Sequence, residues 1–281
     1  MNPLLVVGHG TKDDEGVAQF AQLVDRVRAS TDRQVEGGFL ELSSPPIQEA
    51  VAKLPDGQVD VVPLVLVAAG HSKGDIPAAL ERERQRHPGI SFRYGRPLGP
   101  HPLLLADLTE RLAGAGPVDT ETAVVLVGRG ATDPDANAEV AKTARLLLEG
   151  RPIGTVETAF VSLAEPGVPE GLERADRLGY KRIVVQPYFL FEGVLPQRIR
   201  SQADSWQADH PGTEVHVADV IGPSVNLVRL VLERAAELTA GDIRMNCDTC
   251  MYRTVMPGFE SRHGQPQTPH DHPDDPTHHH H

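Results

Sequence analysis

The sequence is poor in the features that mark disulfide-rich, secreted or membrane proteins. Its 281 residues include two cysteines, and aromatic residues make up only 4%, so no framework of disulfide bonds holds the fold. No apolar run approaches the roughly 20 residues of a membrane span. The short run Leu4–Val7 after the N-terminus is too short for a signal peptide. We therefore expect a cytoplasmic protein.

Positive charge is also scarce. The chain has 27 Lys and Arg against 39 Asp and Glu, which gives a formal net charge of −12. A chain of this charge repels nucleic acid and anionic membranes, so we expect neither as a partner, and an anionic ligand would need a local cluster of cations. Hydrophobic residues make up 40% of the chain, as in globular proteins, and its length allows two domains of ordinary size.

An internal repeat organises the chain at a spacing of about 120 residues. Three segments recur in order: Leu4–Thr11 as Val124–Ala131, Val35–Leu42 as Val156–Leu163, and Val61–Leu66 as Val184–Leu190 with a shift of one residue. Chance similarity does not preserve both order and spacing over three segments. The sequence therefore predicts a duplicated protein.

Short apolar runs alternate with longer amphipathic stretches in each copy. The predicted strands of the first copy are Leu4–Val7, Gln34–Leu40, Val59–Val67 and Ile90–Tyr94. The predicted helices are Glu15–Ala29, Ile47–Leu54, Asp75–His87 and Pro102–Leu112. Apolar strands separated by helices indicate parallel strands buried on both faces. Each copy is thus predicted to be an α/β lobe with a small four-stranded parallel sheet.

The boundary between the lobes is predicted in the Gly- and Pro-containing segment Ala113–Thr120. This gives a first lobe of residues 1–117 and a second lobe of residues 118–240. Residues 241–281 are rich in Pro, Gly, His and Asp and contain few apolar residues. Because such a segment buries too little apolar surface to offset the entropy of ordering, we expect a flexible tail.

Three polar residues of the first copy follow the ends of predicted strands: His9, Glu41 and His71. Ligands of an open parallel sheet bind beyond the carboxyl ends of its strands, so these side chains can converge there. Two imidazoles and one carboxylate suit a first-row divalent metal ion with coordination positions left open.

The second copy serves as an internal control for this site. At the matching positions it carries Arg129, Ser162 and Val194, none of which suits a metal ion in that combination. A residue that the fold itself required would have been kept in both copies. We infer that the three polar residues of the first copy serve function.

These segments resemble the sirohydrochlorin chelatases. The resemblance rests on Gly8–Thr11, Phe39–Leu42, Ala69–His71 and Asp75–Pro77, and it extends over residues 1–240, including the duplication. It implies two Rossmann-like lobes and an ATP-independent enzyme that inserts cobalt or iron into a tetrapyrrole for cobalamin or siroheme synthesis. The sequence has no G-x-x-x-x-G-K-[ST] loop for ATP.

The resemblance also assigns roles to single residues. It implies that His9 and His71 are the active-site histidines and that Glu41 is the active-site carboxylate, each binding metal or moving protons. The implied tetrapyrrole carries eight carboxylates, for which four cations near strand ends are candidate ligands: Lys73, Arg129, Arg198 and Arg200. The run Tyr188–Phe191 is interpreted as core rather than as a wall for the macrocycle.

The tail carries the sequence features that bear on the choice of metal. Met245–Cys250 and the His-rich end resemble the longer, cobalt-type chelatases, which favours Co²⁺ over Fe²⁺. A ferrochelatase for siroheme, a metal carrier without enzymatic activity and a bilobal small-molecule binding protein are the alternative interpretations.

Cys247 and Cys250 form a Cys-x-x-Cys pair, which can bind a metal or act as a dithiol. The resemblance implies a [4Fe–4S] cluster. Two cysteines cannot supply its four ligands, so a cluster would need other ligands or a homodimer formed through the tail; zinc and a redox dithiol stay open. The tail histidines suit a metal reservoir or, at the end of the chain, a purification tag: His263, His270, His272 and His278–His281.

Overall fold

The computed structural model describes residues 1–241 and 260–262. Its strands are β1 (Leu4–Gly8), β2 (Val35–Phe39), β3 (Gly57–Pro63), β4 (Ile90–Tyr94), β5 (Thr122–Gly128), β6 (Thr155–Phe160), β7 (Arg182–Pro187) and β8 (Glu214–Val217). Its α-helices are α1 (Asp14–Ala29), α2 (Ile47–Val51), α3 (Ile76–Arg86), α4 (Pro102–Ala115), α5 (Pro134–Leu148), α6 (Val168–Arg177), α7 (Val194–Asp209) and α8 (Val225–Ala240). A π-helical turn, His71–Asp75, precedes α3, and a 3₁₀ turn spans Glu260–Arg262.

The strands form two separate parallel sheets of the same topology. The first sheet has the order β2-β1-β3-β4 and the second the order β6-β5-β7-β8. The central strands β1 and β5 are buried along their whole length, which explains why their sequences are continuous apolar runs rather than alternating ones. The predicted duplication and the predicted α/β fold class are confirmed.

Each sheet has its own hydrophobic core. In the first, Leu5, Val7 and Val61 pack with residues of α2 and α3. In the second, Val125 and Val127 pack with residues of α6 and α7. Of the run interpreted as core, Tyr188 and Leu190, just after β7, are buried, and Phe189 is partly buried against the second core, whereas Phe191 is half-buried.

The structure groups the chain into two compact units whose bounds differ from those of the sequence repeat. Among the described residues up to Gly241, the first unit is Met1–Leu98 together with the chain from Val228, and the second is Gly99–Leu227. Helix α4, predicted in the first lobe, contacts α5 and β7, while α8, predicted in the second lobe, belongs mostly to the first unit. The bounds of the repeat follow from the duplication of the chain. The bounds of the units differ because α4 and α8, the last helices of the two copies, pack in the other unit.

Helix α8 is anchored in the first unit by a buried ionic network. The Arg234 side chain is 1% exposed and donates to the carbonyls of Pro97 and Leu98 at 3.0 and 2.8 Å. Glu237 accepts from Arg234 and from Arg96, at 2.8 Å in each case. These bonds satisfy a buried guanidinium that would otherwise be costly, because a charge in the interior needs partners.

Helix α4 is anchored in the second unit by one buried carboxylate. Asp107 is fully buried and accepts hydrogen bonds from Ser224 Oγ at 2.6 Å and from Asn226 Nδ2 at 2.8 Å. Two neutral donors thus anchor α4 in the second unit, whereas a network of charged groups anchors α8 in the first.

Most predicted elements of the first copy differ from the observed ones at one or both ends, by one to four residues, and two of these differences flank the loop that carries His71. The strand predicted over Val59–Val67 stops at Pro63, because a proline cannot donate to the ladder and the neighbouring β1 ends at Gly8. The helix predicted from Asp75 begins at Ile76 and is preceded by the π-helical turn. The described helices include none that is long and apolar enough to cross a membrane. The predictions for Cys247, Cys250 and the tail histidines lie outside the described residues.

Candidate active site at the carboxyl ends of the first sheet

His9 and Glu41 continue the hydrogen-bond ladder just beyond the ends of β1 and β2. The Leu40 N–H donates to the Gly8 carbonyl at 2.8 Å, and the Glu41 N–H donates to the His9 carbonyl at 3.0 Å. Strand register thus carries over into the loops. Because parallel strands end at the same edge of a sheet, two residues 32 positions apart in the sequence become neighbours.

The side chains of His9 and Glu41 meet. His9 Nε2 lies 3.2 Å from Glu41 Oε1, and the two side chains are 27% and 16% exposed. The other ring nitrogen, Nδ1, lies 3.3 Å from the Gly10 carbonyl oxygen. If the ring donates from Nδ1 to that carbonyl, Nε2 presents its lone pair towards the carboxylate. The exposures show that the pair is partly shielded from solvent, and the remaining exposed surface leaves room for a ligand to reach it.

Gly10 permits this close approach. It has a φ of +107°, and a Cβ at this position would lie 1.8 Å from the Glu41 carbonyl oxygen. Both the conformation and the space exclude a side chain. The first glycine after His9 is thus required for the loop to pack onto the end of β2.

Ser43 fastens the two loops to each other. Its Oγ accepts from the Thr11 N–H at 2.9 Å and donates to the Thr11 carbonyl at 2.6 Å. Thr11 lies two residues after His9, and Ser43 lies two residues after Glu41, so the clamp acts immediately beside the pair. Sequence reasoning missed Ser43 because a serine between loop residues carries no signal for a partner so far away along the chain.

The spacing of this pair suits two kinds of chemistry. Nitrogen and oxygen ligands bind first-row divalent ions at roughly 2.0–2.2 Å, so two of them on one ion at an angle of about 100° lie about 3.2 Å apart. The same spacing suits proton transfer between an imidazole and a carboxylate. His9 and Glu41 can therefore share a metal ion or a proton.

The third predicted ligand, His71, begins the π-helical turn that follows β3 and precedes α3. This places its backbone in a loop beyond the carboxyl end of the strand next to β1, as the sequence predicts. Its role as a ligand stays a prediction. Among the side chains that the structure describes, His9 and Glu41 have no third His, Cys, Asp or Glu that completes a metal-binding group.

The four predicted carboxylate ligands have different surroundings. Arg129 and Arg198 are exposed, Lys73 is half-buried in the π-helical turn, and Arg200 forms two hydrogen bonds with Glu192, at 2.8 and 2.6 Å. Binding a substrate carboxylate through Arg200 would mean exchanging it for Glu192. The roles of all four stay predictions.

The carboxyl edge of the second sheet repeats the backbone of this site without its side chains. Ser162 N–H donates to the Arg129 carbonyl at 3.0 Å. Gly130 has a φ of +86°, and a Cβ there would lie 1.8 Å from the Ser162 carbonyl oxygen. These contacts match those of Glu41, His9 and Gly10, so the structure supports the alignment of Arg129 with His9 and of Ser162 with Glu41.

Comparison with known proteins finds one family in both copies. A family model described as CbiX matches residues 3–115 and 123–238. A sirohydrochlorin cobaltochelatase from Priestia megaterium is 38% identical over 263 residues, covering 90% of this chain and 85% of that protein. A sirohydrochlorin ferrochelatase from the same organism is 34% identical over 215 residues, covering 74% of this chain and 80% of that protein.

Solved structures agree with these relatives. The structure of SirB from Bacillus subtilis with Fe³⁺ matches with a TM-score of 0.75 and 30% sequence identity, covering 86% of this chain and 97% of that one. The similarity therefore spans both sheets rather than one copy alone.

Proposed function

The chain belongs to the CbiX family of sirohydrochlorin chelatases and is a metal chelatase, and from this premise we propose that it inserts Co²⁺ into sirohydrochlorin at the His9–Glu41 pair. The observation that carries the proposal is the 3.2 Å contact between His9 Nε2 and Glu41 Oε1. An imidazole and a carboxylate meet in one copy of a duplicated fold, and the matching positions of the other copy carry Arg129 and Ser162 instead. His71 contributes the third group from the loop after β3.

The reaction exchanges two protons for one divalent ion, with no change of oxidation state. The ion loses water ligands, and two pyrrole N–H groups of the macrocycle lose their protons. His9 and His71 deliver the ion or accept a proton, because a neutral imidazole can do either near neutral pH. Glu41 supplies negative charge to the ion, or passes protons from His9 to solvent.

Recognition of the substrate needs cations, because sirohydrochlorin carries eight carboxylates and the chain has a net charge of −12. We assign this task to Lys73, Arg129, Arg198 and Arg200. These four side chains are positively charged, so they can attract the substrate's carboxylates locally although the chain as a whole repels anions.

The preference for cobalt rests on the longer of the two matches to relatives. The 90% of this 281-residue chain that aligns with the cobaltochelatase exceeds the 240 residues that end with α8. That alignment therefore extends into the tail that holds the Cys-x-x-Cys pair. Iron, for siroheme, is the second candidate, because a ferrochelatase is also similar and histidine and carboxylate ligands accept either ion.

The remaining proposals concern the cell and the tail. We place the reaction in the cytoplasm, without ATP, and we assign to Cys247 and Cys250 a [4Fe–4S] cluster completed by a second copy of the chain. A protein purified without oxygen should then show broad absorbance near 400 nm that is lost in Cys247→Ser.

An absorbance time course tests the proposed function. Sirohydrochlorin is mixed with Co²⁺, and separately with Fe²⁺, in the presence of the wild type, of His71→Ala or of Val194→Ala, the last altering the aligned position of the second copy. We expect the wild type and Val194→Ala to exceed the spontaneous rate, with Co²⁺ faster, and His71→Ala to fall to it. No acceleration by the wild type with either ion would contradict the proposal, and equal rates for His71→Ala would remove His71 from it.

A further inference from the structure

The π-helical turn His71–Asp75 leaves one backbone carbonyl in need of a donor. In a π-helix each carbonyl accepts from the N–H five residues later. For the carbonyl of Ser72 that residue is Pro77, in the first turn of α3, and a proline has no N–H. The π-helical pattern therefore provides no backbone donor for the Ser72 carbonyl.

Tyr94 supplies that donor. Its hydroxyl donates to the Ser72 carbonyl at 2.9 Å. Tyr94 is the last residue of β4 and lies opposite Val61 of β3 in the register, and its ring packs against the first core. The first sheet thus fixes the position of the Tyr94 hydroxyl, and the hydroxyl in turn fixes the π-helical turn His71–Asp75.

The hydroxyl keeps its proton throughout the physiological range. Burial, together with the nearby charge of Asp75, raises the pKa of Tyr94 well above its usual value. A tyrosinate could not donate, so the raised pKa keeps the hydroxyl able to donate to Ser72 over the pH range in which histidines and carboxylates titrate.

The second sheet lacks both halves of this arrangement. Its β8 carries Val217 opposite Val185, the position that corresponds to Tyr94 opposite Val61. Its α7 begins at Val194 directly after the N-cap Gly193, without a π-helical turn. The turn and the tyrosine occur together in the copy that carries the histidines, and both are missing from the described residues of the other copy.

We propose that Tyr94 is a positioning residue of the chelatase, which holds the His71 turn in place through the Ser72 carbonyl. The inference rests on the proposed function. Tyr94 touches neither the ion nor the macrocycle in this proposal; its hydroxyl fixes the backbone from which His71 acts.

The variant Tyr94→Phe tests the proposal, because it keeps the ring and removes only the donor. Tyr180→Phe, in the second unit, is the matched control. Hydrogen exchange of the backbone amides, followed by mass spectrometry, should be faster in peptides that span residues 69–77 of Tyr94→Phe and unchanged elsewhere. In the sirohydrochlorin assay with Co²⁺, kcat should fall about 10-fold, as for other groups that orient a ligand, while KM for sirohydrochlorin stays within about twofold.

Two other outcomes would overturn the inference. Wild-type exchange in residues 69–77, or an unchanged kcat, would show that the hydroxyl does not hold the turn for catalysis. Faster exchange throughout the first unit, with a lower Tm, would give Tyr94 a general packing role instead. If the wild type itself does not accelerate insertion, the proposed function fails, and the exchange data alone then decide whether Tyr94 holds the turn.

Discussion

The carboxyl edges of the two sheets share a backbone and differ in their side chains. At both edges the chain bends through a glycine of positive φ that packs against the neighbouring strand end. One edge presents His9 and Glu41 in contact, and the other presents Arg129 and Ser162. The comparison teaches that the fold requires the glycine bend but does not require His9 and Glu41. We therefore attribute these two side chains to the chemistry of the site.

The same comparison separates scaffold from site where conformation alone would mislead. Leu42 and Leu163 have φ values of 63° and 61°, which is uncommon for a residue with a side chain. Unusual backbone often marks a functional site. Here it recurs beside Ser162, where no pair exists, so we assign it to the scaffold.

The largest effect is expected from removing the histidine of the pair. His9→Ala should lower kcat for insertion of Co²⁺ into sirohydrochlorin by roughly 100-fold or more, as for loss of a group that moves a proton in the reaction. The matched variant of the second sheet, Arg129→Ala, should keep kcat and raise only KM for the tetrapyrrole. Steady-state kinetics of both variants decide the point; a similar loss of kcat in both would mean that the two edges contribute alike.

The next effect concerns the ionic network that anchors α8 in the first unit. Burial raises the pKa of Glu237, but the hydrogen bonds from Arg96 and the charge of Arg234 outweigh it, so the pKa is lowered overall. The carboxylate therefore stabilises the folded state above its unfolded pKa, and this stabilisation is lost as the pH falls through the folded pKa.

Glu237→Gln should thus lower the free energy of unfolding by about 3 kcal/mol at pH 7, because it leaves a buried guanidinium short of its counter-ion. The difference from the wild type should shrink below about pH 4. Urea unfolding at several pH values measures both. Glu81→Gln, which removes an exposed partner of Arg84, is the control and should change little. A difference independent of pH would mean that packing, not charge, anchors α8.

A smaller effect is expected from the clamp beside the pair. In the second copy, Asn137 of α5 makes both hydrogen bonds to Ala131, at 2.9 and 2.8 Å, where Ser43 makes them to Thr11 in the first. Ser43 lies in the loop after β2 and therefore joins it to the loop after β1, whereas Asn137 lies in α5 and joins that helix to its loop. Ser43→Ala should lower kcat about fivefold, near the energy of one or two hydrogen bonds, and Asn137→Ala should leave it unchanged. Equal losses would show that the clamp serves the fold rather than the pair.

The sequence predicts the fold and the reacting side chains of the site better than the residues that hold those side chains in place. His9 and Glu41 were predicted to converge because parallel strands bring their carboxyl ends to one edge, and the structure brings them together. The Ser43 clamp and the Tyr94 contact join residues 32 and 22 positions apart. They depend on loop conformations that no periodicity encodes. The sequence also does not predict that α4 belongs to the second unit and most of α8 to the first. A repeat shows which segments were duplicated, but it does not show which core each helix packs against.

The smallest effect, and the sharpest test, comes from rebuilding the pair on the other sheet. If only side chains distinguish the two edges, Arg129→His with Ser162→Glu should place an imidazole and a carboxylate about as far apart as His9 and Glu41. The pair should then bind Co²⁺ weakly, with a Kd of about 1 mM, or about −4 kcal/mol. We would make both changes in the His9→Ala background and compare titrations with His9→Ala alone, so that metal bound by the shared tail cancels. One additional weak site would show that the duplicated backbone is a ready scaffold for the pair. Identical titrations would show that the edges differ in more than these side chains, with Ser43, absent from the second edge, as the first candidate for the difference.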